Sequence, residues 1–373
     1  MLEDVGTSAN DILQLDSNAK IPAVDGSLLT GTDTALSASS DPTLSTNPTN
    51  GVGTKYRNTT SGEMYICTDA TAGANTWKNV GEGTGDIEPW IFQGTIAGYA
   101  QGGNNGSILD VIDKFSFTSD ANATDVGNLS LGRHAPAGQS SAAYGYTSGG
   151  RTSPDVNNID RFSYASDGDA TDSGDLSVAR GYCGGQSSSE HGYTSGGNAN
   201  GPYSNYIDKF SSSAGGNASD VGDLSVARGQ NSTQSSATHG YNCGGQPANN
   251  VIDKFTFSAD ANATDVGDCT ANKTHSTGQS STTHGYISGD YPVSNVIEKF
   301  AFASDGNSAD IADATGNKSN PCGQSSTTHG YISGGFNGPA LNIIEKFTFA
   351  SNANATDVGD LTVVRGIVTG TQV

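Results

Sequence analysis

The residues of this chain that could do chemistry recur at regular spacing rather than forming one cluster. Histidines precede a Gly-Tyr pair at four equivalent positions: His191, His239, His284 and His329. Imidazoles in series can indicate a metal site, but zinc ligands lie about 2 Å from the ion, and side chains on successive repeats are too far apart to share one. We therefore interpret the histidines as inherited with the repeat and predict no metal at them.

A basic residue occupies a second repeated position, at Arg133, Arg180, Arg228, Lys273, Lys318 and Arg365. These side chains could form a cationic ring that attracts anionic sugars. Acids recur equally often and are available to pair with them, at Asp113, Asp160, Asp208, Asp253, Glu298 and Glu345. We favour ion pairs, because one repeated pair explains both sets of positions at once, and the cationic ring stays open as the alternative.

Turns rich in Asp and Asn form a third pattern, with side-chain oxygens at i, i+2 and i+5, as in Asp120, Asn122 and Asp125. Calcium prefers oxygen-rich turns, but the distal bidentate Glu of the EF-hand loop does not follow here. Asx turns that cap a hairpin explain the same residues. We predict no cofactor, with calcium as the alternative.

Enzyme signatures such as Gly-x-Ser-x-Gly, His-Glu-x-x-His and the phosphate loop are absent from the sequence. The acids repeat with the rest of the unit, whereas a catalytic pair should break the symmetry, so we predict no enzymatic activity. The longest insertions, residues 151–158 and 198–206, could build a binding rim on one face. The candidate binding residues on these loops are Arg151, Asp155, Asn157, Asn198, Asn200 and Tyr203.

These residues must be positioned by a repeat of about 46 residues, which occurs in six copies between residues 90 and 373. Each copy has a strand such as Gly145-Tyr146-Thr-Ser-Gly149-Gly150, then one such as Ile159-Asp-Arg-Phe162. An Asp/Asn turn, a short strand, the basic residue and a small-residue strand follow. Four short strands joined by Gly and Asn turns match a propeller blade. We expect Gln372-Val373 to complete the first blade, which closes the ring.

The order and spacing of these features closely resemble the kelch repeat, in which a doubled glycine ends the second strand and an aromatic residue lies on the third. The resemblance covers roughly residues 90–373 and implies an all-β, six-bladed kelch-like β-propeller. One position departs from the kelch pattern: the aromatic residue usual on the fourth strand is replaced by leucine, at Leu129, Leu176, Leu224 and Leu361. We therefore expect a diverged subtype whose partners cannot be carried over from kelch proteins.

The first ninety residues differ from the repeats. We predict an anchor and oligomerisation segment over residues 1–35, an extended low-complexity linker over 36–52, a small β-module over 53–81 and a Gly-rich linker over 82–89. The run Asn58-Thr-Thr-Ser-Gly62 is typical of a hairpin turn. Because this region has too few apolar residues for a stable core alone, we expect self-association, most simply as a trimer.

Two motifs of this region, Lys20-Ile-Pro-Ala-Val-Asp-Gly26 and Asn58-Thr-Thr-Ser-Gly62, resemble segments of bacteriophage tail fibres and other virion fibre proteins. The resemblance spans about residues 8–81. It implies a homotrimeric fibre or appendage whose N-terminus docks on other virion proteins and whose propeller is displayed.

Composition limits the partners. The net charge is −21 and charged residues make up only 15% of the chain, which argues against a nucleic-acid groove or an anionic membrane surface. We see no transmembrane span and no signal peptide. The five cysteines lack CxxC spacing, so we predict free thiols in a chain made in a reducing cytoplasm.

The sequence therefore predicts a non-enzymatic phage virion structural protein, assembled in the host bacterial cytoplasm. Its propeller head would recognise a glycan or protein of the host surface. A capsid decoration or head-fibre protein is one alternative. Another is a propeller enzyme that degrades glycans, which an unrepeated cluster of carboxylates and aromatics would favour. A third is a cellular kelch-like scaffold, which would be a monomer.

Overall fold

The computed structural model describes residues 35–81 and 90–373. The chain divides into two compact units, Met1–Pro89 and Trp90–Val373. Within the described ranges all regular structure is β, in 28 strands without a helix, so the predicted all-β class is confirmed. The motif Lys20–Gly26, the linker 82–89 and all but the last residue of the predicted anchor lie outside the described residues.

The first unit contains one four-stranded sheet. Its strands follow chain order: β1 (Leu36–Ala38), β2 (Lys55–Asn58), β3 (Met64–Asp69) and β4 (Thr76–Asn79). β1 is parallel to β2, and the other pairs are antiparallel. The side chain of Asn58 accepts hydrogen bonds from the N–H groups of Thr60 and Ser61, and Gly62 adopts a φ of 82°. The predicted hairpin turn is confirmed.

Residues 36–52, which we predicted to be an extended linker, instead pack on this module. The hydroxyl of Tyr56 donates to the carbonyl of Ser40 at 2.9 Å, and the N–H of Asn75 donates to the carbonyl of Leu44 at 3.0 Å. Backbone groups can make such bonds whatever the side chains are, which is why low complexity misled the prediction. The module therefore begins at Leu36, around a core of Tyr56, Tyr65, Cys67 and Trp77.

The second unit consists of six four-stranded antiparallel sheets, which we number 1 to 6 in chain order. Their first strands are β28 (Thr369–Gln372), β8 (Ala137–Ser140), β12 (Gly184–Ser187), β16 (Ser232–Ser235), β20 (Thr277–Ser280) and β24 (Cys322–Ser325). The second strands are β5 (Ala97–Gln101), β9 (Tyr144–Ser148), β13 (His191–Ser195), β17 (His239–Cys243), β21 (His284–Ser288) and β25 (His329–Ser333). The third strands are β6 (Val111–Ser116), β10 (Asn158–Ser163), β14 (Tyr206–Ser211), β18 (Asn249–Thr256), β22 (Ser294–Ala301) and β26 (Ile343–Thr348). The fourth strands are β7 (Thr124–Asn128), β11 (Thr171–Asp175), β15 (Ser219–Asp223), β19 (Thr264–Lys273), β23 (Ala309–Lys318) and β27 (Thr356–Asp360).

The predicted four strands per repeat are thus confirmed, and residue type follows strand position. First strands carry Gly, Ser, Thr and Gln, which allows close approach, since a Cβ on Gly185 would lie 2.1 Å from the carbonyl oxygen of Gly138. Second strands are almost entirely buried, third strands mix buried and half-buried residues, and fourth strands are exposed at their start and half-buried beyond it. The cores lie between successive sheets, as with Tyr193 and Ile207 of sheet 3 against Phe255 of sheet 4.

The sheets contact one another in a cyclic order. The tyrosine of each second strand packs on the third-strand phenylalanine of the next sheet, with ring centroids 5.2–5.4 Å apart, from Tyr99–Phe162 onward. The sixth such pair, Tyr331–Phe115, joins sheet 6 to sheet 1. The C-terminal strand β28 pairs with β5, so the C-terminal residues complete sheet 1 as the sequence predicts.

Candidate functional site

The six repeated basic side chains are buried and each forms an ion pair with the third strand of a sheet. Arg180 Nη1 lies 3.0 Å from Asp208 Oδ2, and both side chains are 0% exposed. The other pairs are Arg133–Asp160, Arg228–Asp253, Lys273–Glu298, Lys318–Glu345 and Arg365–Asp113, at 2.5–2.8 Å. Each basic residue precedes a first strand, so the pair fixes the connection between two sheets to the second of them.

Each carboxyl group of these pairs also accepts a hydrogen bond from a Ser or Thr hydroxyl. Asp208 also accepts from the backbone N–H of Ser177 at 2.8 Å and from its hydroxyl at 2.7 Å. Burial works to lower the pKa of Lys273, but Glu298 and Asp290 together raise it above its ordinary value. Because the charges are neutralised inside the protein, these residues play the structural role that we favoured over an exposed cationic ring.

The side-chain oxygens of the Asp/Asn turns already have protein partners, most of them on a neighbouring sheet. Asp120 pairs with Lys346 at 2.5 Å, Asn122 Oδ1 accepts from the N–H of Asp360 at 3.1 Å, and Asp125 caps the N–H of Gly127. The three oxygens therefore bind three separate partners. Within residues 35–81 and 90–373, no group of His, Cys, Asp and Glu is arranged to hold a metal ion.

The four repeated histidines begin the second strands of sheets 3 to 6 and are half-buried. The ring of His239 contacts the hydroxyl of Thr238 through Nδ1 at 2.8 Å and lies 6.5 Å from the ring of Tyr241. Burial, with Lys254 nearby, lowers the pKa of His239. These contacts fit a packing role for the imidazoles.

The two long loops meet as a rim. The N–H of Asp155 donates to Asn200 Oδ1 at 3.1 Å, and the N–H of Asn200 donates to Asp155 Oδ2 at 2.7 Å. Asp155 is buried and pairs with the half-buried Arg151 at 3.5 Å. Asn198 folds back on Gly201 within its own loop. Two further candidates, Asn157 and Tyr203, are half-buried. The two hydrogen bonds between Asp155 and Asn200 hold both loops together. Asp155 therefore supports the loops from inside and is not a surface residue.

Sequence reasoning missed a ring of six residues, each two positions after a repeated basic residue. We call it the mouth ring: Ala135, Tyr182, Gln230, His275, Asn320 and Ile367. The N–H of each donates to the carbonyl of the one before it, and Ala135 donates to Ile367, at 2.7–2.9 Å throughout. The rim loops adjoin this ring, since Arg151 bonds to His134 and Asn198 bonds to Gly181.

The mouth ring combines backbone strain with sequence variety. All six residues have φ between 54° and 58°, a left-handed conformation that costs a non-glycine residue roughly 1–2 kcal/mol. For a β-branched residue such as Ile367 it is a true outlier. The chain uses 51 glycines but none here, and each copy carries a different residue. Regular repeats that diverge at one strained position indicate a site; the variation between copies is visible in the sequence, whereas the strain is visible only in the structure.

The mouth ring opens into a central cavity of about 110 Å³. Behind it lies a second tier, the neck, made of Pro136, Cys183, Asn231, Ser276, Pro321 and Val368. The first strands form the wall. At the far end of β20, Gln93 Nε2 donates to the carbonyl of Ser280 at 2.9 Å, and the neighbouring Phe92 lines the cavity.

The five cysteines form no disulfide, which confirms the predicted free thiols. In the part of the chain that the structure describes, no helix could cross a membrane. No protein-family model matches the sequence, and no curated protein matches it significantly.

Proposed function

We propose that residues 90–373 form a six-bladed β-propeller of a diverged kelch-like type. Three independent sets of contacts support this proposal, because each continues from sheet to sheet and returns from sheet 6 to sheet 1. They are the mouth-ring hydrogen bonds, the buried ion pairs and the Tyr–Phe contacts. A linear array of repeats would end in two caps instead of returning.

We infer that the chain is a non-enzymatic structural protein of a phage virion. It would form a homotrimeric fibre or appendage that binds other virion proteins through its N-terminal region and presents the propeller to a host-surface glycan or protein. The observation that carries this proposal is the fibre-like sequence of the first unit, including the hairpin Asn58–Gly62. Self-association would also bury Val52, Met64 and Val80 of the same module, which are 65%, 40% and 58% exposed.

The chemistry of the cavity supports a binding role. Its polar lining consists of amides, hydroxyls, thiols and one imidazole, groups that bind a ligand, whereas glycoside hydrolysis uses a pair of carboxyl groups. Incubating the chain with host-envelope glycans should therefore release no reducing sugar.

Competition for adsorption tests the recognition role. Excess purified full-length chain should occupy the receptor and lower the adsorption rate of the phage that encodes it by tenfold or more. The same chain after thermal unfolding is the control. Unchanged adsorption at saturating chain would overturn host recognition, and binding to particles without binding to host cells would point to capsid decoration.

A further inference from the structure

We propose that the central cavity binds one uncharged sugar residue at its mouth, on the side formed by sheets 4 to 6. This inference rests on the proposed recognition function and names the ligand class and the site. It is carried by three properties of the lining: unpaired buried polar groups, an apolar wall facing them and neutrality throughout.

The unpaired groups come from two adjacent sheets. Asn231 and Ser276 are each only 8% exposed, and both line the cavity. Neither the amide oxygen and nitrogen of Asn231 nor the hydroxyl of Ser276 has a hydrogen-bond partner among the described residues. Leaving a buried polar group unpaired costs about 1–3 kcal/mol. A ligand with hydroxyl groups would satisfy these atoms, because a hydroxyl both donates and accepts.

Gln230 extends this polar side toward solvent. Its amide oxygen is likewise buried without a partner within the described chain, and the side chain belongs to the mouth ring. With His275 and Asn320 it forms a run of three polar residues along one half of the ring. The equivalent positions in the other repeats are different residues, so the polar groups are not inherited with the repeat.

The opposite wall is apolar. Ile367 and Val368 of the connection into sheet 1 and Ala135 and Pro136 of the connection into sheet 2 line the same cavity. Aromatic rings complete it, with Tyr182 at the mouth and Phe92 at the far end. A pyranose ring has an apolar C–H face and polar edges, so it matches a mouth that is polar on one side and apolar on the other.

The titratable groups of this lining are neutral near pH 7. Burial lowers the pKa of His275, burial raises the pKa of the Tyr182 hydroxyl, and burial raises the pKa of the thiols of Cys183 and Cys322 to about 12. The net charge of −21 further repels anions. The site therefore selects an uncharged sugar over a sialic or uronic acid.

The test uses saturation-transfer NMR and calorimetry with full-length chain. The probes are methyl glycosides of neutral hexoses, deoxyhexoses and N-acetylhexosamines, with sialic acid and glucuronate as charged counterparts. We expect at least one neutral glycoside to bind and both acids to fail. The double substitution Asn231→Ala and Ser276→Ala should weaken that binding at least tenfold. Asn352→Ala, in the exposed turn between β26 and β27 and outside the cavity lining, is the matched control and should leave the Kd within twofold.

A melting curve of each variant separates lost binding from lost folding. If the double variant unfolds, Gln230→Ala takes its place and should weaken binding at least threefold. Binding of no neutral glycoside would overturn the inference, as would tighter binding of the acids or a loss confined to Asn352→Ala. If glycosides fail but the chain still blocks adsorption, the fibre function stands without the sugar site. If glycosides bind but adsorption is unchanged, the fibre function fails alone.

Discussion

Arg228, which precedes β16, and Lys254 on β18 both belong to sheet 4 and form ion pairs of very different burial. Arg228 and Asp253 are both 0% exposed, whereas Lys254 and Asp305 are 21% and 40% exposed. Removing one partner of a buried pair leaves the other charge buried without a counter-charge and costs about 3–5 kcal/mol. A surface pair contributes about 0–1 kcal/mol.

We therefore expect Arg228→Ala to lower the free energy of unfolding by about 3–5 kcal/mol, and Lys254→Ala by less than about 1 kcal/mol. Urea denaturation of the two variants and the parent chain measures the difference. Equal losses in the two variants would refute the structural role of the buried pairs.

The lowered pKa values of the histidines predict how the free energy of unfolding changes with pH. Burial lowers the pKa of all six: His134, His191, His239, His275, His284 and His329. The folded chain then binds protons less readily than the unfolded chain, so the stabilising effect is full above the ordinary pKa of 6.5 and declines as pH falls below it. The carboxyl of Asp290, whose pKa burial raises, acts in the opposite direction as a single group.

We expect the free energy of unfolding to be lower at pH 5.5 than at pH 7.5. Denaturation at both values, repeated for His239→Gln, measures it, and the variant should show a smaller decrease. Greater stability at pH 5.5 would contradict the assignment of half-buried, neutral imidazoles.

At the scale of the strand, Gly184 and Thr233 compensate for each other. Five first strands place glycine at the point of closest approach, whereas sheet 4 has Thr233, whose hydroxyl donates to the carbonyl of Gly185 at 2.8 Å. A Cβ on Gly184 would lie 2.1 Å from the Thr233 methyl carbon. Sheet 2 carries Ala137 at the position of Gly184, so a first strand can hold a Cβ there. The residue on the neighbouring first strand, Thr233 in the case of Gly184, decides whether that Cβ fits.

Gly184→Ala should therefore cost about 1–3 kcal/mol by overpacking in the parent chain and much less when combined with Thr233→Gly. Gly316→Ala, where a Cβ would meet nothing within 4 Å, is the control and should be close to neutral. A double-mutant cycle measures the coupling, and purely additive losses would show that the pair does not compensate.

The Asp/Asn turns give a prediction for metal removal. Since their oxygens already bind lysines and backbone N–H groups of neighbouring sheets, adding a chelator should leave the melting temperature unchanged to within about 1 °C, and adding calcium should not raise it. Thermal unfolding in both conditions checks this. A rise with calcium that the chelator reverses would revive the calcium alternative.

The sequence predicted the elements better than the site. Glycine pairs, the Ile-Asp-Lys-Phe strands and the fixed period identify strands directly, because turns and alternation are local properties. The paired acids of the basic residues could be anticipated because both recur together. The mouth ring could not be located from composition, since its backbone conformation depends on hydrogen bonds between connections far apart in the chain. The prediction of an extended linker over residues 36–52 was wrong for a similar reason, because the hydrogen-bond partners of this segment lie in strands that follow it in the chain.

At the scale of the whole molecule, the contacts that repeat in every sheet and the side chains that differ between copies have separate roles. The ion pairs, Tyr–Phe contacts and mouth-ring hydrogen bonds repeat once per sheet and hold the second unit together. The side chains of the mouth ring and neck differ from copy to copy, and they gather unpaired polar groups on one side. In the proposed fibre, the regular part supports the head and the irregular part supplies recognition.

Electron microscopy of purified particles of the phage that encodes the chain, labelled with an antibody to residues 90–373, tests the virion assignment most directly. We predict label at the free end of an appendage, with three heads per appendage, and a full-length chain that sediments as a trimer of 37.9 kDa subunits. Particles without label, together with single chains free in the host cytosol, would contradict the account.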